Sequence, residues 1–389
     1  MPRDIPETLL DAIGGSMPDA RMAFFAWYGG EAMNDGVPLP VTSWSIDWTG
    51  DTGTLMQGTL SITVADGTGD LAPWGFDEAL SVGGSEITAR FEHGADLVEL
   101  GTYRNQGSNP NEQWRIDRDG VSFIPGGATV PVTANELTQL IINDAFRSPE
   151  APNTSGTVVS EIKRLCAGIV GVVFTGVTDR AIPLDMTYRE DRMATIEDLA
   201  KLAGAAFRMT GDGVLEIYAT ARPAAPHWAI LPGAGEILIN VARRQDASTI
   251  FNSVVATGTN AGHEIREYAD AEGILAPNGP MGRKTKFVQS MEIDRDGVLK
   301  DARAAITKSG AEATTRLAVS CLPHPGMMIG DWVQIVQPVA DDLTSGLVGC
   351  IRGMSLSGSG TSFDAMSLTV ECDTAEVERI ARMVRSARE

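Results

Sequence analysis

The sequence predicts a mostly β protein with an α/β insertion (α+β): two antiparallel β-barrel or sandwich domains, an α/β middle domain and a C-terminal helix. Three observations lead there. From Met22 to Ile124, and again from Ile237 to Glu371, apolar residues alternate at the two-residue period of half-buried strands, broken by turn signals. Between these blocks apolar residues recur at helical spacing. After Asp373 comes a capped amphipathic stretch. The expected domains are 1–125 (N-terminal β-barrel-like), 126–235 (α/β insertion), 236–372 (second β-barrel-like, with one long helix) and 373–389 (terminal helix).

Residues 4–16 carry Ile5, Leu9, Leu10 and Ile13 and read as a short helix stopped by Gly14-Gly15. In the first β block Trp44, Ile46 and Trp48 share a face, as do Leu60, Ile62 and Val64, then Ile87, Ala89 and Phe91. Val98 and Leu100, then Trp114 and Ile116, continue the pattern up to Asp119-Gly120. Four of the seven tryptophans (Trp27, Trp44, Trp48, Trp74) fall here, apolar area enough to anchor a separate core. Pro125-Gly126-Gly127 is expected to end the block.

Thr133 and Glu136 are spaced as a capping box for a helix carrying Leu137, Leu140, Ile141 and Phe146. The polar run 148–155 reads as a loop, and Thr157–Ala167 as a second helix with Val158, Val159, Ile162, Leu165 and Cys166 inward. Val172–Phe174 is a short strand. The organising stretch is 183–218: an extended entry, a helix with Thr195 as N-cap and Asp198 as capping partner, then a hairpin. Ile196, Leu199, Leu202, Ala203 and Ala206 make the helix stripe, and Thr210-Gly211-Asp212-Gly213 makes the turn, since glycine accepts positive φ at no steric cost.

Strands restart at Ile237–Val241, Phe251–Thr257 and His263–Tyr268, with 271–285 an extended loop. A helix over Asp296–Lys308 is ended by Gly310. Strands return at 316–320, 332–336, 346–356 and 365–371, with Gly330-Asp331 a turn feeding Trp332. The terminal helix is capped by Asp373 and Glu376, has Val377, Ile380, Ala381 and Val384 on one side, and places Arg382, Arg385 and Arg388 late, as the helix dipole favours. It either docks on a partner or packs on its own subunit. The hexapeptide Ile116–Val121 recurs as Ile293–Val298, a hairpin turn in one place and a helix start in the other, so the repeat is coincidental.

Composition narrows the function. A chain of 389 residues exceeds one ordinary core. Its 43% hydrophobic content describes a folded, soluble protein. With 31 basic and 51 acidic residues the net charge is −20, which repels phosphate and argues against a basic nucleic-acid groove. Cys166, Cys321, Cys350 and Cys372 lack metal-type spacing and read as buried thiols of a reducing compartment, although a Cys350–Cys372 disulfide stays open. The start MPRDIPETLL lacks signal-peptide blocks, and the longest apolar run, Leu165–Val177, is too short to span a bilayer.

No chemistry-bearing constellation stands out. Asp66, Thr68 and Asp70 alternate like a calcium loop, but Leu71 sits where an EF-hand needs glycine, and Asp294 and Asp296 lack further ligands, so these are turns or caps. His93, His227, His263 and His324 are isolated. The run Gly353–Ser362 has neither GxSxG nor a P-loop ending and reads as a flexible β-turn. Glu190/Asp191 and Asp341/Asp342 carry no information among so many acids. No catalytic, cofactor-binding or metal site, and no cofactor, is expected.

Three segments carry a resemblance: Trp44–Val64 (WSIDWTGDTGTLMQGTLSITV), Thr195–Tyr218 with its Asp-Gly-x-Leu-x-Ile hairpin, and Phe251–Thr259 (FNSVVATGT). With the order β block, α/β insertion, β block and terminal helix, the chain resembles tail hub (baseplate hub) proteins of tailed bacteriophages. It looks like minor tail proteins of long non-contractile (siphovirus) tails of actinobacterial phages. The resemblance implies tail-tube-like β domains and a homotrimer with a pseudo-sixfold ring. It implies an adaptor between the distal tail or tail tube protein and the tip or receptor-binding proteins, lining the channel for tape-measure protein and DNA. It further implies a virion tail-tip location after assembly in the host cytoplasm, with no sequence-specific nucleic-acid binding and no membrane insertion. Relatives with a lysin or receptor-binding extension are longer than 389 residues, so no cell-wall-degrading role is expected. Three rivals stay open: a carbohydrate- or receptor-binding tail protein using Trp27, Trp44, Trp48 or Trp74 as sugar platforms, a peptidase or glycosidase, and a distal tail ring protein.

Overall fold

The computed structural model describes all residues except 1–2, 16, 18, 52, 117–122, 154, 183–185, 234–235, 245–250, 261–262, 291–293, 312–313, 336–345 and 387–389. Both copies of the hexapeptide repeat and the Asp341/Asp342 pair fall partly or wholly outside the described residues, as does Val336. The chain forms two compact units, 1–241 with 318–370, and 242–317 with 371–389.

The first unit opens with helix α1 (Glu7–Ile13), whose Leu9 and Ile13 are buried. Strands β1 (Arg21–Tyr28), β2 (Glu31–Ala32), β3 (Val41–Thr49), β4 (Gly58–Asp66), β5 (Ser85–His93), β6 (Asp96–Ser108), β7 (Asn111–Ile116) and β8 (Phe123–Glu136) follow. The insertion comprises α2 (Thr138–Asn143), α3 (Val158–Cys166), β9 (Val172–Thr175), α4 (Arg192–Leu202), β10 (Ala205–Met209) and β11 (Leu215–Ala219). Next come β12 (Trp228–Ile230), β13 (Leu238–Arg244), β14 (Ser253–Asn260), β15 (His263–Asp270), β16 (Thr285–Gln289) and α5 (Arg295–Ala311). The chain closes with β17 (Thr314–Cys321), β18 (Trp332–Ile335), β19 (Leu347–Ser359), β20 (Ser362–Phe363), β21 (Met366–Asp373) and α6 (Thr374–Ser386).

The mostly-β α+β class is as expected, but the described strands form no closed barrel. One sheet runs in the order β13-β17-β21-β19-β3-β4-β8-β6-β5-β1-β2, so early and late strands hydrogen-bond in a single array. The join is antiparallel, with Ser43–Thr49 of β3 registered against Gly353–Ser359 of β19. Trp44 and Ile46 are buried at the join. The Trp44 ring lies 5.8 Å from Phe24 and 5.6 Å from Phe363, and its indole N–H donates to Gly360 O at 3.1 Å. The run 353–362 is therefore mainly strand, with only Gly360-Thr361 turning back into β20.

Several boundaries move for identifiable reasons. Pro125-Gly126-Gly127 does not stop the strand: Gly127 adopts φ +106, where a Cβ would lie 2.9 Å from Asp66 O, and β8 continues past it. Thr133 and Glu136 belong to β8 and cap no helix; α2 starts at Thr138. The N-cap of α4 is Asp191, whose Oδ1 accepts Ala194 N at 2.9 Å, while Thr195 sits inside the helix and donates to Asp191 O. That helix stops at Leu202, because Gly204 at φ +67 turns the chain and Ala206 enters β10. Thr157 caps α3 as a reciprocal box with Ser160.

The β10–β11 hairpin forms as expected, with Gly213 at φ +78, and β9 adds in parallel to β11. Leu215 and Ile217 of β11 join Ile162, Leu165, Ile196 and Leu199 in the insertion's core. In the second unit β15-β14-β16 form a small sheet, and Val298 and Ala302 of α5 pack with Ala256 and Ala269. Strand β16 begins at Thr285, where the expected loop ends, and α5 runs through Gly310 to Ala311. The α6 residues Val377 and Ile380 are buried, and Asp373 accepts Glu376 N at 3.2 Å.

Candidate functional site

Two features stand out: a buried charge junction in the first unit and exposed aromatic pairs on each unit. The junction forms around 324–331, a loop in which every residue is buried. A buried loop must satisfy its own backbone, and here side chains do much of that work. Arg3 donates to Pro325 O (2.6 Å) and Leu100 O (3.0 Å), and Gly326 N donates to His324 Nδ1 (3.2 Å). Arg208, inward on β10, donates to Ile329 O (2.8 Å), Asp331 Oδ1 (2.9 Å) and Glu216 Oε2 (2.7 Å). Asp331 also accepts from Trp228 Nε1 (3.0 Å) and Met328 N (3.1 Å), and Thr175 donates to Glu216 (2.6 Å).

Burial by itself would raise the Asp331 carboxyl, but Arg208 and Trp228 outweigh it and hold it below the usual carboxylate range. Burial likewise opposes ionisation of Glu216, and Arg208 and Thr175 overcome it, lowering that group too. Burial lowers Arg3 to about 10. Glu136 differs: burial raises it despite hydrogen bonds from Thr138 and Gln57 N. These groups hold segments of the first unit together.

The expected turn and structural residues occupy such roles. Asp66 caps its own loop, accepting Thr68 N (3.1 Å), Thr68 Oγ1 (3.0 Å) and Leu71 N (2.6 Å). His227 Nδ1 accepts Trp332 N at 3.1 Å, and His324 packs edge-on to Trp228, with burial lowering its ring to about 4. His93 and His263 lie at strand ends. All four cysteines are buried and none forms a disulfide, Cys350 and Cys372 included, and burial pushes Cys166 and Cys321 up to about 12. Among the described residues no group of three or more His, Cys, Asp or Glu is placed to hold a metal, and no helix is long and apolar enough to cross a membrane.

Trp74 corrects the picture of a tryptophan-anchored core. It is 76% exposed, and Phe76 beside it 74%. The loop carrying them is ordered by hydrogen bonds: Glu78 accepts Trp74 N (2.6 Å), Ser81 Oγ donates to Phe76 O (2.8 Å), and Asn105 donates to Leu80 O (2.6 Å). Leu80 is fully buried at φ +60, a conformation costly for a branched side chain. On the second unit Tyr268 and Phe287 are 67% and 69% exposed. Both are registered against Val255 of the central strand, so the three form one row across the sheet. Sequence reasoning missed Phe76, Tyr268, Phe287, Arg208 and Asp331. The available signals were an aromatic pair among Gly, Pro and acids at 73–78, and an arginine inside the apolar run Ala205–Met209.

The topology defines an α+β protein built on a long mixed-order sheet with exposed aromatic pairs. Solved structures of tail proteins share that architecture. The chain is similar to a 43 kDa tail protein of a Shewanella oneidensis prophage over 90% of this chain and 98% of that one, with TM-score 0.58 and 13% identity. It is similar to a tail protein from Neisseria meningitidis over 90% and 96%, with TM-score 0.54 and 14% identity. A type VI secretion component from E. coli, itself described as structurally similar to T4 tail proteins gp27 and gp5, matches over 90% and 77%, with TM-score 0.51 and 12% identity. Identities this low establish a shared fold. No protein-family model matches the sequence, and no curated protein does.

Proposed function

We propose that this chain is a structural tail protein of a phage-type particle, the hub at the tail tip. It assembles as a homotrimer that joins the distal tail or tail tube protein to the tip and receptor-binding proteins. The observation that carries this reading is similarity along nearly the whole length of two tail proteins, 96% and 98% of their chains. The division into 1–125, 126–235, 236–372 and 373–389 is proposed as the modular plan of that hub. In this reading the protein resides at the virion tail tip after assembly in the host cytoplasm. The finer assignment to siphoviruses of actinobacteria rests on the sequence resemblance.

The channel passes the tape-measure protein and then DNA, which the net charge of −20 suits, because a like-charged wall does not hold a polyanion. A basic lumen in the assembled ring would defeat this part. The role is structural; release of soluble fragments from purified cell wall would contradict it. Light scattering across a concentration series tests the assembly. Three times the 41.3 kDa chain mass supports the hub, whereas a stable hexamer supports a distal tail ring protein. The exposure of Trp74 favours a second reading, a glycan platform of a receptor-binding tail protein. Quenching of Trp74 fluorescence by glycan binding would support it.

A further inference from the structure

The register of the small sheet β15-β14-β16 arranges its outer face in rows. Tyr268 and Phe287 both pair with Val255, and the two aromatic side chains are 67% and 69% exposed. Two strand spacings separate them, which puts their Cα atoms about 10 Å apart. Side chains alternate between faces, so the residues two places along each strand share this one. Asp270 and Thr285, both registered against Ser253, flank the aromatic row on one side. Arg266, Thr257 and Gln289 flank it on the other. The opposite face packs on α5 through Ala256, Ala269, Val298 and Ala302. The aromatic row therefore stands on ordered backbone, which limits the entropy lost when a ligand seats on it.

The charges on this face are neutralised in pairs. Arg266 pairs with Glu264 on the same strand, and Arg283 lies 3.4 Å from Asp270. Lys284 and Lys286 lie over the Phe251 ring instead, 4.9 and 5.5 Å from its centroid. A polyanion therefore finds no cationic track along the aromatic row. The apolar area is also small. Two rings about two-thirds exposed, with Val255 between them, offer about 300 Å². Each partner of a standard protein interface contributes about 800 Å². What remains is an apolar strip one residue wide between two rows of hydroxyl, amide, carboxylate and guanidinium groups. A sugar chain matches that pattern: a pyranose presents C–H groups to an aromatic face and hydroxyls, at its rim, to hydrogen-bonding side chains.

We infer that the outer face of β15-β14-β16 binds an uncharged, extended β-1,4-linked oligosaccharide laid across the strands, with one pyranose stacked on Tyr268, the next over Val255 and the third on Phe287. In such a chain every second ring presents the same face, and the disaccharide repeat matches the two strand spacings between the aromatic residues. Asp270 and Thr285 on one side, and Arg266, Thr257 and Gln289 on the other, supply the hydrogen bonds to the sugar hydroxyls. The site lies on the second unit, whereas Trp74 lies on the first. The inference does not rest on the hub reading.

Titration calorimetry of the full chain with cellohexaose and with chitohexaose tests it. Maltohexaose, whose α-1,4 linkage coils the chain, and a thymidylate oligonucleotide serve as comparisons. We expect saturable binding of at least one β-1,4 hexasaccharide. Tyr268→Ala and Phe287→Ala should each weaken it about tenfold or more while leaving the melting temperature unchanged. Phe287→Trp should retain binding, and Trp74→Ala should bind as the wild type does. No heat with either β-1,4 hexasaccharide at millimolar concentration overturns the inference, as does binding that both alanine variants leave unchanged. Maltohexaose bound as tightly as the β-1,4 chains overturns the extended geometry. Tighter binding of the oligonucleotide assigns the face to nucleic acid and overturns the sugar site, and loss of binding in Trp74→Ala alone moves that site to the first unit. A trimer that binds no sugar keeps the hub reading and rejects this site, whereas a hexamer that binds through Phe287 rejects the hub and keeps the site.

Discussion

Arg208 and Asp331, 123 positions apart in sequence, meet at 2.9 Å with both side chains almost wholly removed from solvent. A charge pair so placed is not automatically stabilising, because desolvation offsets much of the attraction. Here the rest of the guanidinium is also used, on Glu216 and the Ile329 carbonyl, and its plane lies 4.7 Å from the Tyr218 ring centroid. The pair therefore fixes the insertion's hairpin on the buried 324–331 loop.

Arg208→Ala is expected to destabilise the protein by about 3–5 kcal/mol, since it leaves Asp331 buried without its cation. Adding Asp331→Asn should recover part of that loss, so the two changes will be non-additive. Urea unfolding of the two singles and the double measures the coupling; strict additivity would show that the groups act independently.

Acid should act in two steps. His324 is lowered by burial from 6.5 to about 4, so the unfolded chain takes up its proton first. Stability is complete above about pH 6.5 and declines until about pH 4, by on the order of 3 kcal/mol. Asp331 and Glu216 have folded values below the unfolded ones of about 3.9 and 4.3. Their contribution is present above those values and lost as the pH falls through the lower folded ones. Unfolding free energies of wild type and His324→Asn between pH 7 and pH 3 check this: the variant should flatten the upper step alone.

Gly330 adopts φ +85, and a Cβ there would overlap the Tyr218 ring. Gly330→Ala should cost about 1–3 kcal/mol from the backbone conformation, with the overlap adding to it. Thermal melting of the purified variant gives the answer, and an unchanged melting temperature would show that the loop tolerates the intrusion.

The four thiols are buried and form no disulfide. A thiol reagent at pH 8 should find none in the folded protein and four per chain after denaturation. Two per chain after denaturation without reductant would indicate a disulfide.

Local chemistry was legible in the chain itself. The period-two runs at Trp44–Trp48 and Leu60–Val64 became paired strands, and Asp212-Gly213 turned the expected hairpin. The start of α3 at Thr157 followed from its neighbours in sequence. Cap identity was less legible where two polar residues competed. Asp191 displaced Thr195 because α4 begins earlier than its apolar stripe indicates. Thr133 and Glu136 have capping spacing, yet pairing of β8 with β4 and β6 kept them extended.

By itself the sequence determined the class: alternation fixes which face of a strand is apolar, and helical spacing fixes the stripe of a helix. Tertiary structure alone decided that β3 lies beside β19, that Arg208 meets Asp331, and that Trp74 faces outward while Trp44 is buried. Hydrophobic burial is non-directional and any two apolar faces satisfy it. Backbone register and buried charge are directional and must be satisfied between segments hundreds of residues apart, so only the folded chain reveals which partners meet.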